Sequence, residues 1–256
     1  MNDDQQVVRR PFYRHDPLTT IIATIGIFLI SQVVAGLLIW LYPSMMEWTE
    51  AEATNWIEKS VAGQFAYVLI AEAIAIGLVL QLLKRANILK ARIGWLKIKA
   101  QDIGWALLAY GIYFIVYLAV VILAKQLIPS LDVEQEQQVG FDNAYTNIQL
   151  LMTFVSLVIL PPIAEEIIFR GYLFTSLRAK FSFKKATIVT SILFGIAHLQ
   201  FGAGAPLLWI AALDTFILSC FLCYLRDKTG SLWPPIILHA LKNGVAFTIL
   251  FGSRLL

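Results

Sequence analysis

The 256-residue sequence is poor in charged residues and in the residue types that usually mark redox or metal chemistry. Asp, Glu, Lys and Arg make up 14% of the chain, against about 25% in an ordinary soluble domain. Only two cysteines and three histidines are present, and no HExxH zinc motif occurs. The low charge and an apolar content of 59% exclude an ordinary soluble domain and predict an integral membrane protein.

Two further scarcities narrow the possible functions. The formal net charge is only +3, which gives no reason to expect a nucleic-acid partner. Cys220 and Cys223 have CxxC spacing but lie in an apolar run, and no second ligand pair accompanies them. We therefore predict that both cysteines pack as small core residues.

Long apolar runs take up most of the chain. About 20 apolar residues suffice for one helical crossing, and the alternating pattern of a membrane barrel is missing. The sequence therefore predicts an all-α fold, a polytopic membrane helical bundle with about seven transmembrane helices. They lie at roughly 18–42, 61–83, 103–124, 148–174, 186–201, 206–225 and 231–251.

Basic residues are concentrated in alternate loops between these runs. Fifteen of the 20 lysines and arginines lie on the side that includes the N-terminus, and the positive-inside rule assigns that side to the cytoplasm. We predict a multi-pass protein of the cell membrane with a cytoplasmic tail at 1–17. Helices 1–3 and their loops occupy 18–147, and the remaining helices form a second region at 148–256.

The fourth apolar run contains the segment PPIAEEIIFR at 161–170. A charge at the bilayer centre costs about 2.5–3.5 kcal/mol on insertion scales, so intramembrane charges usually mark functional sites. Glu166 and Arg170 are four residues apart, which predicts an ion pair on one helix face. Glu165 points about 100° away and is left free for chemistry. The alternative interpretation is a structural salt bridge with a spare glutamate.

Two of the three histidines lie in later apolar runs. His198 ends the segment FGIAH, and His239 shares a helix face with Asn243, four residues on. Counting residues along each helix from its predicted cytoplasmic end places these side chains and Glu165 about 12–20 Å above the cytoplasmic face. We predict that they meet in one cavity near mid-membrane, open to the cytoplasm.

The order of these motifs carries a family resemblance. EExxxR at 165–170, FxxxH at 194–198 and HxxxN at 239–243 resemble the three motifs of the CPBP (Abi) family of intramembrane proteases. That family includes the type II CAAX prenyl endopeptidases. The resemblance covers roughly 148–251, so it marks the second region as catalytic, and the first three helices show nothing specific.

The resemblance implies an intramembrane endopeptidase acting on a membrane-associated or lipidated peptide or protein, with membrane lipid as its surroundings. In that family, the first glutamate and the second-motif histidine activate water, and the third-motif histidine and asparagine stabilise the oxyanion. The catalytic set carried over is Glu165, Glu166, His198, His239 and Asn243, with Arg170 as structural support.

The chemistry of the residues agrees with these roles. A desolvated Glu165 beside His198 can act as a base toward water, and donors such as those of His239 and Asn243 can stabilise an oxyanion. Glu165, His198 and His239 could instead hold zinc with an open water position. Because a glutamate-activated water needs no metal, we favour metal-free chemistry, although the family is often labelled a metalloprotease.

Two other functions stay open from the sequence. A proton-coupled transporter would also place acids and histidines at mid-membrane, and a non-catalytic immunity or binding protein could sequester a peptide. The absence of an internal repeat argues against the transporter. Glu72 and Asp214 are further membrane-embedded acids that could line the cavity or hydrogen-bond a neighbouring helix. Lys242 is expected to turn to another face and is given no role.

Overall fold

The computed structural model describes residues 16–135, 137–200 and 207–254, and these ranges contain helices and no strand. The predicted all-α fold is therefore confirmed. Most of the predicted tail, residues 1–15, lies outside the described residues. The helices are α1 (Pro17–Met45), α2 (Glu50–Lys59), α3 (Val61–Arg85), α4 (Ala100–Leu127), α5 (Asn147–Arg178), α6 (Phe183–Ala197), α7 (Trp209–Thr229) and α8 (Trp233–Phe251).

Within the described residues, six helices are long and apolar enough to cross a membrane: α1, α3, α4, α5, α7 and α8. The multi-pass membrane location is confirmed, and the predicted count of about seven is close. The difference comes from the run at 186–201, whose described part forms α6. That helix has 15 residues and spans about 22 Å, less than the roughly 30 Å of a hydrocarbon core. The cytoplasmic orientation of the N-terminus stays a prediction.

The spanning helices differ in how much of their surface is inside the protein. In the apolar 18-residue stretch of each helix, only 22% of α1 and 17% of α4 is buried, against 44% of α5 and 50% of α7. Helices that are apolar all round suit a lipid environment, so α1 and α4 form the periphery. Helices α5 and α7 form the centre, and Cys223 of α7 is a fully buried free thiol.

Helix α5 is widened twice. Residues Val155–Ile159 and Glu166–Phe174 are π-helical, with α-helical turns before, between and after them. Pro161 and Pro162 follow the first π segment, and proline cannot donate to the carbonyl one turn earlier. Irregular turns of this kind occur in membrane helices only where other groups satisfy the freed carbonyls. Every residue of the second π segment is buried, so the widened part of α5 forms the core.

The connection between α3 and α4 is fastened to the end of the bundle. Gly94 has a left-handed φ of 89°, and its carbonyl accepts a 2.9 Å hydrogen bond from the Leu232 amide. The Arg226 guanidinium donates to the Arg92 carbonyl at 3.1 Å and to the Thr175 hydroxyl at 3.3 Å. This connection therefore joins α5, α7 and the start of α8.

Replacing Gly94 by alanine is expected to lower the free energy of unfolding by at least about 1–2 kcal/mol, the usual cost of a left-handed L-residue. The new Cβ would also lie 2.8 Å from the Arg226 Cζ atom. Reversible unfolding in mixed detergent micelles measures the change. The matched control is Gly104→Ala in α4, where a Cβ meets nothing within 4 Å. A Gly94→Ala variant as stable as that control would contradict the prediction.

Candidate active site

The second π segment of α5 holds a buried ion pair. Glu166 and Arg170 are both fully buried, and the Arg170 Nη1 atom lies 2.9 Å from Glu166 Oε1. This is the pair that the four-residue spacing predicts. The same Oε1 atom lies 3.0 Å from Nδ1 of His239 on α8. Glu166 therefore links a cation on its own helix to an imidazole on another helix.

The Glu166 contact fixes the orientation of the His239 ring. A carboxylate can only accept a hydrogen bond, so Nδ1 of His239 carries the hydrogen and donates it. The opposite nitrogen, Nε2, lies 3.9 Å from Glu165 Oε2. Glu166 acts here as a positioning residue, because the ring nitrogen that faces Glu165 is set by the contact on the other side of the ring.

His198 presents the same nitrogen from the end of α6. Its Nδ1 atom lies 2.8 Å from the Phe194 carbonyl and donates to it, which leaves Nε2 directed at Glu165 Oε2, 4.0 Å away. The Phe194 ring packs against His198 at 4.6 Å and against the edge of His239 at 5.8 Å. The Arg170 guanidinium lies over the same ring at 4.3 Å. Phe194 thus contacts Arg170 and both imidazole rings, a role that sequence reasoning missed.

Glu165 is the point on which the two imidazoles converge. Its Oε2 atom is buried, and among the described residues no side chain or backbone group donates a hydrogen bond to it. Two polar atoms that share one water molecule at ordinary hydrogen-bond lengths are about 4–5 Å apart. The distances of 3.9 and 4.0 Å to the imidazole nitrogens are too long for a direct hydrogen bond and lie at the short limit of what one bridging water spans.

Asn243 lies one helical turn beyond His239 and has a structural partner. Its Nδ2 group donates to the Leu157 carbonyl at 2.9 Å. That carbonyl would receive the amide of residue 161 in a regular α-helix, but Pro161 has no N–H. Asn243 therefore supplies the donor that proline removes and fastens α8 to the first π segment. One of its two amide hydrogens is used in this bond, which leaves the other for a ligand.

Replacing Asn243 by leucine is expected to destabilise the protein by about 1–3 kcal/mol, because the Leu157 carbonyl then has no donor. A Pro161→Ala background restores a backbone N–H one turn after Leu157, so the same replacement is expected to cost less there. Unfolding free energies of the four proteins form a double-mutant cycle. Equal costs in both backgrounds would show that Asn243 does not compensate for the proline.

Lys242 and Asp214 form a polar link that sequence reasoning missed. Lys242 Nζ lies 3.0 Å from Asp214 Oδ2, and the Tyr113 hydroxyl donates to Asp214 Oδ1. The contact joins α8, α7 and α4, so Lys242, which was given no role, pairs with an acid on a neighbouring helix. The sequence signal for this pair was the presence of two opposite charges in neighbouring apolar runs. Of the two alternatives stated for Asp214, the structure shows the bond to a neighbouring helix.

The other membrane-embedded acid, Glu72, lies on α3. It is partly buried, and α3 packs against the part of α5 that holds Glu165. The structure therefore brings Glu165, His198 and His239 together, and Glu72 lies on a neighbouring helix. Asn243 lies one turn further along α8. The catalytic roles assigned to these residues stay predictions.

The three converging residues do not form a zinc site in this geometry. Among the residues that the structure describes, no group of three or more His, Cys, Asp and Glu side chains is arranged to hold a metal ion. Ligands bound tetrahedrally at zinc–ligand distances of 2.0–2.1 Å are about 3.4 Å apart, whereas both imidazole nitrogens lie 3.9–4.0 Å from Glu165 Oε2. Glu165, His198 and His239, the alternative zinc ligands, are thus further apart than the ligands of a bound zinc ion. No metalloprotease site is seen among the described residues, and metal dependence stays a prediction.

The fold and the site together define a class: a multi-pass helical membrane protein with a partly buried Glu–His cluster built from α5, α6 and α8. Residues 147–245 match the family model of type II CAAX prenyl endopeptidases, described as Rce1-like. The match includes every predicted site residue and confirms the resemblance carried by the three motifs. At family level it supports a membrane CAAX-type protease.

Two curated proteins are similar to part of the chain. One, from Bacillus subtilis (strain 168), is named "Putative membrane peptidase YdiL"; it is 37% identical over 93 residues, 36% of this chain and 34% of that protein. The other, from Escherichia coli, is named "Uncharacterized 24.3 kDa protein"; it is 30% identical over 105 residues, 40% of this chain and 45% of that protein. The chain thus spans less than half the length of each relative. No solved structure matches it significantly.

Proposed function

We propose that the protein is an intramembrane endopeptidase that hydrolyses a peptide bond of a membrane-associated or lipidated peptide. One observation carries this proposal: the buried Oε2 atom of Glu165 faces the Nε2 atoms of His198 and His239 at 4.0 and 3.9 Å. Three different helices contribute these groups, and the space between them suits a single water molecule. Hydrolysis requires a base next to that water and a donor next to the scissile carbonyl.

In the proposed reaction, Glu165 takes one proton from the water while the Nε2 atom of His198 accepts a hydrogen bond from the other. The water oxygen bonds to the carbonyl carbon, and the π electrons of the C=O bond move to the carbonyl oxygen. The protonated Glu165 then delivers its proton to the amide nitrogen as the C–N bond breaks. The products are an amine and a carboxylic acid, and no step requires a metal.

His239 and Asn243 are proposed to stabilise the oxyanion. Donation from Nε2 of His239 requires the ring to take up a second proton, because Nδ1 already carries the hydrogen that it donates to Glu166. The Glu166 carboxylate would stabilise that imidazolium as the oxyanion forms, as an aspartate does in hydrolase triads. The free amide hydrogen of Asn243 is the second proposed donor. Glu166 and Arg170 act indirectly, by holding the His239 ring and by balancing charge in the fully buried core.

The proposed substrate class follows from the location of the site and from the matched family. A site inside a helical bundle reaches peptides that lie in or on the membrane, and a lipid anchor brings a peptide tail to that depth. The matched family is described as prenyl endopeptidases. We therefore propose a peptide with a lipidated cysteine as the first substrate to test, with membrane lipid around it.

The test uses the purified full chain in lipid vesicles with two matched peptides. Both end in a cysteine followed by three apolar residues, and only one carries a farnesyl group on that cysteine. Mass spectrometry is expected to show hydrolysis, faster for the farnesylated peptide. Binding of both peptides without turnover would favour the immunity or binding protein, and proton-coupled uptake into the vesicles would favour the transporter. Either result would overturn the proposal.

A further inference from the structure

A second polar cavity lies at the end of the bundle where α7 ends and α8 begins. It has a volume of about 240 Å³, and its lining includes Lys97, Lys99, Lys228, Trp105 and Ser231. We call it the lysine recess. It is separate from the candidate active site, because none of the residues lining it belongs to the Glu–His cluster. It lies on the side that the distribution of basic residues predicts to be cytoplasmic.

The lysine recess concentrates positive charge without matching carboxylates. Lys97, Lys99 and Lys228 are exposed, and within the described part of the chain none of the three forms an ion pair. The acid in the recess, Asp102, is buried and accepts a 2.8 Å hydrogen bond from the Lys99 backbone amide. One negative charge used as a helix cap faces three unpaired ammonium groups, so the recess suits an anion.

The three lysines are brought together by folding. Two precede α4, and Lys228 lies more than 120 residues later, near the end of α7. The Trp233 indole nitrogen donates to the Leu96 carbonyl at 2.7 Å, and the Trp233 ring packs against Trp95 at 5.3 Å. These contacts hold Lys97 and Lys99 near Lys228. Lysines that were only solvated surface charges would not need such contacts.

An aromatic ring and exposed apolar residues accompany the lysines. Lys228 Nζ lies 6.0 Å from the Trp105 ring centroid, and tryptophans are enriched where hydrocarbon meets water. Ile98 and Ile103, which are adjacent in sequence to residues lining the recess, are 54% and 46% exposed. A ligand that suits both the lysines and the neighbouring apolar residues has an anionic head and apolar chains.

We propose that the lysine recess binds the phosphate of an anionic phospholipid headgroup, with the acyl chains lying along Ile98 and Ile103. Basic pockets between transmembrane helices on the cytoplasmic side are typical sites for such headgroups. The phosphate chemistry is shared with soluble phosphate, but the exposed isoleucines and Trp105 beside the lysines favour the lipid. The proposal does not depend on peptide hydrolysis.

The experiment compares two triple variants in detergent micelles. One replaces Lys97, Lys99 and Lys228 by glutamine. The control replaces Lys180, Lys184 and Lys185, which are exposed at the start of α6 and in the turn before it, on the same predicted side. Native mass spectrometry measures binding of phosphatidylglycerol and phosphatidylcholine, and thermal unfolding measures stabilisation by each lipid and by inorganic phosphate.

Wild type and control are expected to bind phosphatidylglycerol in preference to phosphatidylcholine. The recess variant is expected to bind phosphatidylglycerol about a hundredfold more weakly, given the contribution of each lysine near an anionic headgroup. Equal weakening in both triple variants would overturn the proposal by showing a general effect of charge. Equal binding of phosphatidylcholine would overturn it too, as would stabilisation by inorganic phosphate that matches stabilisation by the anionic lipid.

Discussion

Replacing Glu165 by glutamine is expected to lower the rate of peptide hydrolysis by about 10²–10⁴-fold, the usual contribution of a positioned general base. Glutamine keeps the size of the side chain and cannot take a proton from water. Because Glu165 Oε2 has no hydrogen-bond donor among the described residues, the replacement breaks no bond of the folded protein. The variant is therefore expected to unfold at the temperature of the wild type while losing activity.

The matched control is Glu72→Gln, the same chemical change in another membrane-spanning helix. Glu72 forms no ion pair with either imidazole in the described structure, so this variant is expected to keep most of its activity. Groups that act as a unit show non-additive losses. Glu165→Gln combined with His198→Gln is therefore expected to be scarcely slower than Glu165→Gln alone. Hydrolysis at the wild-type rate in the Glu165 variant would refute the assignment.

Replacing Arg170 by methionine is expected to destabilise the protein by about 3–5 kcal/mol, the typical cost of removing one partner of a buried ion pair. Both partners are fully buried and 2.9 Å apart, so the change leaves the Glu166 charge without its cation. Adding Glu166→Gln removes that charge, while the amide oxygen can still accept from Nδ1 of His239. The double variant is expected to regain most of the lost stability.

Reversible unfolding in mixed micelles measures this effect, and a second ion pair of the same protein serves as the control. Arg178 and Asp227 are 2.8 Å apart, but each side chain is 35% exposed. Breaking an exposed pair costs about 0–1 kcal/mol, so Arg178→Met is expected to have a small effect. If the double variant at Glu166 and Arg170 is no more stable than Arg170→Met, the loss is not caused by an unpaired Glu166 charge, and the interpretation is wrong.

The sequence was sufficient to predict the features that depend on helix geometry. The ion pair between Glu166 and Arg170 follows from the four-residue spacing. The common depth of Glu165, His198 and His239 follows from counting residues along helices of known rise, whereas the count does not show that their helices are neighbours. Both predictions use one helix at a time plus a common reference plane, which the distribution of basic residues supplies.

Other features of the site depend on how helices contact each other, which spacing does not encode. The contact between Asn243 and the Leu157 carbonyl requires α8 to lie against the π segment before Pro161. The pairing of Lys242 with Asp214 depends on the rotation of two helices about their axes. Hydropathy also counted the run at 186–201 as a crossing, because apolar composition alone does not show that α6, with 15 residues, is too short to span a hydrocarbon core.

The π-helical turns of α5 have a consequence for how the chain tolerates changes in length. Loops accept insertions and deletions readily, but α5 does not separate its two halves by a loop. Deleting one residue within Glu166–Phe174 would let this segment close into ordinary α-helical turns, rotating the preceding half by about 100°. Glu165 would then move away from the two imidazoles, although the helix would stay continuous. A related sequence with a one-residue deletion in this stretch is therefore expected to lack the arrangement in which Glu165 faces His198 and His239.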